Sequence, residues 1–177
     1  FSDDPMIFNG IGVRGLTIID YDQTTGYILH ADVVVNDDAA IFFETDSSKE
    51  DFLGNIITHE LGHLFGLTHS EVHDSSMVYT IRVGQHQINS DDINGVKSLY
   101  GTLSASEGSI KGTVVGGASL TSVFGAHVQA ISQKTGQVMA SALSEADGSF
   151  QIDGLTLNED YFLYISPTRI LGSISSI

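Results

Sequence analysis

Three histidines, His59, His63 and His69, have the spacing in this sequence best suited to chemistry. His59 and His63 are four residues apart, so on a helix they share one face and can bind a single ion through ring nitrogens. Gly66 can adopt the left-handed conformation that ends a helix, which would return His69 to the same ion. Three protein ligands leave a tetrahedral zinc ion with one open position, as in catalytic sites. The spacing therefore predicts a catalytic zinc site.

The stretch at residues 59–69, HELGHLFGLTH, resembles the extended zinc signature of the metzincin metallopeptidases. That family has a methionine in a tight turn beneath the metal, and Met77, in SSMVY, has the spacing of the matrixin branch. Residues 91–101, DDINGVKSLYG, resemble the last helix of a matrixin catalytic domain, and residues 26–36, GYILHADVVVN, resemble the strand before the active-site helix in bacterial members. The resemblance implies a zinc endopeptidase that hydrolyses proteins or peptides.

Two features depart from the usual matrixin pattern. Matrixins usually have proline two residues after the turn methionine, whereas this chain has Tyr79, which is similar to astacins and serralysins. Only 58 residues precede His59, fewer than in a full matrixin catalytic domain, so we expect a peptidase domain that is short at its N-terminus, either because the first helix and strands have been lost or because the chain has been trimmed.

The expected mechanism uses both the zinc ion and the residues beside it. Zinc lowers the pKa of a bound water to about 7, and Glu60, about a third of a turn from His59, reaches that water rather than the ion. Glu60 is therefore the expected general base for attack on the peptide carbonyl. Met77 is expected to pack as a floor below the histidines. Tyr79 has three open roles: a fourth zinc ligand, a hydrogen-bond donor to the oxyanion, or a packed aromatic ring.

The composition of the 177-residue chain bounds its partners and location. The formal charge is −15, and residues 1–101 contain 16 Asp and Glu against 4 Lys and Arg. This charge argues against nucleic acid and anionic lipid as partners, and no apolar run approaches the roughly 18 residues of a membrane helix. Cysteine is absent, so stability must come from packing and bound ions. We expect a secreted or cell-surface monomer of the bacterial type.

Calcium is a second expected cofactor, in a structural role, because calcium prefers oxygen ligands and acidic side chains are plentiful. The candidate ligands are Asp32, Asp37, Asp38, Glu44, Asp46 and Asp74. A solvated acidic face explains the same residues, since they form no EF-hand pattern. The other histidines are expected at the surface or in hydrogen bonds, because none has a partner at ligand spacing: His30, His73, His86 and His127.

A β-hairpin and a helix are expected before the motif. Residues 16–21 and 27–35 are rich in β-branched side chains and flank turn residues 22–26, which predicts a hairpin. The pattern SSKE at residues 47–50 is a capping box and predicts a helix from about residue 48 through the first two histidines. Its expected buried stripe is Phe52, Leu53, Ile56, Ile57, Leu61 and Leu64.

A second helix is expected after the motif. Ser90 is a suitable N-cap, and Gly101 is a suitable end. The expected buried face of this helix is Ile93, Val96, Leu99 and Tyr100.

The sequence pattern changes after Gly101. Residues 102–108 are small and polar, as in a linker, and no amphipathic helix follows. Short strand-like segments occur at residues 110–115, 127–131, 137–143, 149–152 and 161–165, divided by predicted hairpin turns at residues 134–136 and 146–148. The pattern predicts a small antiparallel β-sandwich, and the GSIKGTV opening and DGSF turn resemble the carboxypeptidase regulatory-like, transthyretin-like modules of secreted peptidases.

The expected fold class is α+β. A metzincin-like zinc peptidase domain, with a twisted sheet, an active-site helix and a C-terminal helix, would occupy residues 1–101, followed by a linker at residues 102–108 and an all-β sandwich at residues 109–177. The expected function is zinc-dependent endopeptidase. Two other functions stay open: a zinc-containing binding module without turnover, and an adhesion or substrate-docking module based on the sandwich. Glu60 beside the ligands argues against the first of these.

Overall fold

The computed structural model describes residues 13–36, 46–101 and 103–168. Within those residues the chain has two helices and nine strands. No described helix has both the length and the apolar character needed to cross a membrane.

The chain divides into two compact units. The first unit continues to residue 69 and includes residues 74–89, and the second contains residues 70–73 and the chain from residue 90 onward. The second helix therefore groups with the C-terminal strands, whereas the sequence suggested a boundary after Gly101. The proposed domains at residues 1–101 and 109–177 stay a prediction.

An antiparallel hairpin begins the first unit. Strand β1, Gly15–Tyr21, pairs with strand β2, Ile28–Val35, so the predicted hairpin is confirmed. In the turn, the Asp22 carboxylate accepts hydrogen bonds from the backbone N–H groups of Thr25 and Thr24, and these bonds lower the pKa of Asp22.

Helix α1 spans Leu53–Leu64 and contains the first two histidines of the motif. It begins about five residues later than the capping box predicts, so that prediction is wrong. The polar side chains before it form a turn instead, in which the Asp46 carboxylate accepts hydrogen bonds from the backbone and hydroxyl of Ser48. Phe52 occupies the N-cap position and makes no side-chain capping bond.

The buried face of α1 is more polar than its apolar repeat predicts. Ile56 is 3% exposed, but Leu61 is 41% exposed. Asn55, Glu60 and Gly62 are buried. The Asn55 amide donates to two backbone carbonyls of the preceding turn, which satisfies it inside the protein.

Two close contacts of α1 require glycine. Strand β1 approaches the helix at Gly15, where a Cβ atom would lie 2.9 Å from both Glu60 Cγ and Ile56 Cγ2. Gly62 faces Met77, and a Cβ atom at Gly62 would lie 2.1 Å from Met77 Sδ. Met77 is 1% exposed, so its side chain has little room to move away.

The second unit begins with helix α2, Ser90–Tyr100. The strands that follow are β3 (Glu107–Thr113), β4 (Val115–Gly116), β5 (Thr121–Ser122), β6 (Ala126–Ser132), β7 (Val138–Leu143), β8 (Ser149–Thr156) and β9 (Tyr161–Pro167). β3 pairs with β8, β4 pairs with β5, and β6 lies between β7 and β9, all antiparallel.

Each strand-like segment of the C-terminal sequence overlaps an observed strand, but one connection differs. The turn at residues 134–136 joins the paired strands β6 and β7, as predicted. The turn at residues 146–148 joins β7 to β8, which belong to different sheets, so the second hairpin prediction is wrong. The apolar core of this unit is Val114, Ala126, Val128, Ala130, Ala140, Phe150, Ile152 and Leu155. The β-sandwich assignment itself stays a prediction.

Helix α2 buries a polar face, which contradicts the sequence prediction. Its buried residues are Asp91, Asp92 and Asn94. Ile93, Leu99 and Tyr100 of the predicted apolar face are 46%, 53% and 64% exposed.

Hydrogen bonds explain why α2 is oriented this way. The Asp91 carboxylate accepts a hydrogen bond from the Ser70 hydroxyl at 2.8 Å, and burial raises the pKa of Asp91. The Asn94 amide donates to the Met139 carbonyl on β7 at 2.7 Å. These bonds satisfy the buried polar groups that apolar periodicity does not take into account.

We expect Gly62→Ala to destabilise the protein by about 1–3 kcal/mol, the usual cost of overpacking a buried contact. Alanine favours a helix interior over glycine by about 1 kcal/mol, so a loss would show that contact with Met77 outweighs helix propensity. The measurement is urea unfolding of metal-free protein in chelator. Leu61→Ala, at the exposed neighbouring position, is the control for a general effect of substitution in α1.

A double-mutant cycle assigns this loss to the methionine. In a Met77→Ala background, Gly62→Ala should cost less, because the sulfur that it meets has been removed. An equal cost of Gly62→Ala in both backgrounds would contradict the packing explanation.

Candidate metal centre

The three motif histidines lie together at the C-terminal end of α1 and in the turn that follows it. The Nε2 atoms of His63 and His69 are 3.3 Å apart, and one ligand nitrogen from each ring lies within 4.8 Å of the other two. Among the described residues, these histidines form the one group of three or more His, Cys, Asp or Glu side chains whose ligand atoms all lie within this distance of one another. Three imidazole nitrogens that converge in this way fit a zinc ion.

The turn after α1 brings the third histidine back. Gly66 has a φ of 86°, in the left-handed region. The backbone N–H of Leu67 donates to the Gly62 carbonyl at 3.0 Å, and that of Gly66 donates to the His63 carbonyl at 2.8 Å. These two bonds form a Schellman motif, which ends the helix. The predicted role of Gly66 is confirmed.

Backbone carbonyls orient two of the rings. His59 Nδ1 lies 2.8 Å from the Ser76 carbonyl oxygen, and His63 Nδ1 lies 2.8 Å from the Leu67 carbonyl oxygen. A carbonyl only accepts, so each Nδ1 is assigned the proton and each Nε2 is left with a lone pair for a metal.

His69 is held in its neutral form. Loss of hydration in the cleft is the largest cause of a lowered pKa at His69, and electrostatic interactions with His63 and His59 lower the pKa further, to about 4. At neutral pH the ring is therefore uncharged, which is the form that binds a metal ion.

Glu60, on α1, is 6% exposed, and its side chain packs against β1 at Gly15. The Thr17 hydroxyl is 2.7 Å from Glu60 Oε2 and 2.8 Å from the Glu60 carbonyl oxygen. Gly15, on the same strand, leaves room for the Glu60 side chain. The carboxylate is therefore fixed by contacts from a strand 43 residues earlier in sequence.

The sequence did not identify Thr17 as a residue that contacts Glu60. The alternation of β1 places Thr17 on the same face as Gly15, but nothing local indicates that this face meets Glu60. Gln85 was also missed, although its amide nitrogen lies 3.2 Å from His59 Nδ1.

Met77 and Tyr79 lie on the turn after the third histidine. Met77 is fully buried, and its backbone N–H donates to the Ser75 hydroxyl at 3.0 Å. The Tyr79 ring packs edge-on against the His69 ring, with centroids 4.9 Å apart, and the side chain is 53% exposed. The catalytic role of Tyr79 stays a prediction.

A cleft of about 740 Å³ is lined by the three motif histidines, Glu60 and Tyr79. That volume is in the usual range for ligand sites, roughly 300–1,000 Å³. Its lining includes Thr17, His59, Glu60, His63, His69, Tyr79 and Ile81, all from the first unit.

The other described candidates do not join this cluster. Asp37, Asp38 and Glu44 lie outside the described residues, Asp32 lies 3.1 Å from His30, and Asp46 binds Ser48, so calcium stays a prediction. His86 Nδ1 lies 2.8 Å from the Asn55 side-chain oxygen, and His127 Nδ1 lies 3.1 Å from the Gln129 amide nitrogen. These histidines are hydrogen-bonded, as predicted.

Known proteins resemble part of the chain. The chain is 42% identical over 66 residues to Metalloendoproteinase 4-MMP of Arabidopsis thaliana, covering 36% of this chain and 19% of that protein. It is 32% identical over 114 residues to stromelysin-1 of Mus musculus, covering 58% of this chain and 24% of that protein. The chain thus spans less than a quarter of the length of these relatives. No solved structure matches it.

The family comparison covers half of the chain. Residues 13–101 match the peptidase family described as Matrixin. The matched region contains the three clustered histidines, Glu60 and Met77. The chain therefore belongs to the matrixin family of peptidases.

Proposed function

We propose that this matrixin is a zinc-dependent endopeptidase that hydrolyses peptide bonds of proteins. The observation that carries the proposal is the convergence of three imidazole nitrogens in the cleft that also contains Glu60. A zinc ion held by His59, His63 and His69 supplies a Lewis acid that polarises a carbonyl and lowers the pKa of water. Similarity to a protein named as a metalloendoproteinase supports the same reaction class.

Glu60 is the proposed general base. Its carboxylate accepts a proton from water in the cleft and then gives it to the amine nitrogen of the leaving group. The Thr17 hydroxyl, 2.7 Å from Oε2, and the close approach of Gly15 hold that carboxylate in position. Because the base is already held in position, less conformational entropy is lost on reaching the transition state.

Tyr79 is the second proposed catalytic residue. Its ring lies against His69, and its side chain is half exposed in the cleft, so its phenol can donate a hydrogen bond to the oxyanion of the substrate. A fourth bond to the metal is the alternative role.

We also propose where the protein acts and what stabilises it. The acidic, cysteine-free chain suits a secreted monomer of the bacterial type in which bound calcium adds stability. Residues 109–177 would form a β-sandwich accessory domain that docks protein substrates.

The first test concerns the metal. We expect one tightly bound zinc ion per chain, and His63→Ala should lose it because two imidazoles bind zinc more weakly than three. Zinc content after reconstitution and dialysis measures this. His30→Ala, at an exposed histidine outside the cluster, is the matched control and should keep the ion. Wild-type protein without zinc, or full zinc affinity in His63→Ala, would refute the site.

The second test concerns the base. Glu60→Gln keeps the size of the side chain but cannot accept a proton, so hydrolysis of gelatin should fall by roughly a hundredfold to ten-thousandfold. Zinc content should be unchanged, because Glu60 is not among the proposed ligands. Glu145→Gln, at an exposed glutamate in the second unit, is the control. Equal rates for wild type and Glu60→Gln at matched zinc content would show that the mechanism is wrong. Wild-type activity that survives a chelator would exclude a zinc-dependent peptidase.

A further inference from the structure

Gln85 is a buried side-chain amide in the first unit, 5% exposed. Its Nε2 donates to the Ser76 carbonyl at 2.8 Å and to the Val78 carbonyl at 2.9 Å. Its Oε1 accepts a hydrogen bond from the Arg82 backbone N–H at 3.0 Å. Both amide protons and one acceptor position are therefore used, as a buried amide requires.

The two carbonyls that Gln85 holds lie on either side of Met77. The Ser76 carbonyl is also the acceptor for His59 Nδ1 at 2.8 Å. Gln85 Nε2 and His59 Nδ1 are 3.2 Å apart, and both are donors, so they share one acceptor rather than bond to each other. One lone pair of the Ser76 oxygen thus serves the proposed ligand, and the other serves Gln85.

We propose that Gln85 is a positioning residue of the metal centre, which holds the Ser76 carbonyl where it fixes the tautomer and ring orientation of His59. The inference rests on the proposed function, because it assigns His59 as a ligand. Without Gln85, the Val78 carbonyl would lose a partner inside the protein, and the turn could relax to expose it to water. The Ser76 carbonyl would move with that turn, and His59 would lose its fixed acceptor.

The residue type is important at this position. An amide has two protons for two carbonyls, whereas a carboxylate of the same shape has none and would face two oxygens. Methionine has nearly the length of glutamine and no donor, so Gln85→Met removes the hydrogen bonds at small cost in volume.

Asn94 provides a matched control in the second unit. It is 8% exposed, and its amide also donates to a backbone carbonyl, that of Met139, at 2.7 Å. Asn94→Leu therefore removes a buried side-chain amide of the same kind and leaves the hydrogen bonds of the Ser76 and Val78 carbonyls in place.

The test compares zinc affinity, measured by competition with a chelator, and the visible absorption of cobalt-substituted protein. Gln85→Met should bind zinc about tenfold to a hundredfold more weakly than wild type, the usual effect of losing a group that orients a ligand. Its cobalt spectrum should also change, because the geometry of the ligands changes. Asn94→Leu should keep wild-type affinity and spectrum in its folded fraction, even if its stability falls as much. A folded Gln85→Met protein with unchanged affinity and spectrum would overturn the proposal.

A second measurement needs no variant. In metal-free wild-type protein at pH 8, nitrogen NMR of His59 should show the proton on Nδ1, because the Ser76 carbonyl accepts it. A ring protonated mainly on Nε2 would overturn the proposal even if Gln85→Met does not fold. The proposed function fails separately: wild-type protein that binds zinc and shows the predicted tautomer, yet has no peptidase activity, refutes the enzyme and leaves the role of Gln85 intact.

Discussion

The buried sulfur of Met77 lies directly against the backbone of α1, and this contact joins the helix that carries two of the motif histidines to the turn that carries the Ser76 carbonyl. The contact is possible because Gly62 has no side chain. Met77 is flanked by Ser76 and Val78, so the packing of its sulfur constrains the same turn in which Gln85 holds the Ser76 carbonyl, the acceptor for His59. Packing of the helix and orientation of a proposed ligand are therefore one constraint rather than two.

Local sequence patterns predicted the parts of the site that depend on neighbouring residues. The spacing of His59 and His63 follows from the helix repeat, and the return of His69 follows from the left-handed conformation at Gly66. The hairpin before α1 was predictable for the same reason, since its turn is satisfied by the side chain of Asp22 within the turn itself. In each case the physical cause lies within a few residues of the pattern.

Longer-range contacts account for what the sequence did not predict. Thr17 contacts Glu60 across 43 residues, and Gln85 lies beside His59 across 26. Helix α2 has an apolar stripe that suggests a buried face, yet its buried side is polar, because Asn94 finds an acceptor on β7, 45 residues later. Apolar periodicity cannot register such partners, since it scores each helix without the strands that will satisfy its polar groups.

The position of the Thr17 hydroxyl, within hydrogen-bond distance of two oxygens of the same glutamate, has a consequence for proton transfer. When Glu60 is ionised, the hydroxyl donates to the carboxylate. When Glu60 is protonated, the hydroxyl can rotate to donate to the Glu60 carbonyl and accept the new carboxyl proton, since a hydroxyl both donates and accepts. Thr17 can thus remain hydrogen-bonded to the proposed general base in both of its charge states, as a donor to the carboxylate and as an acceptor from the carboxylic acid.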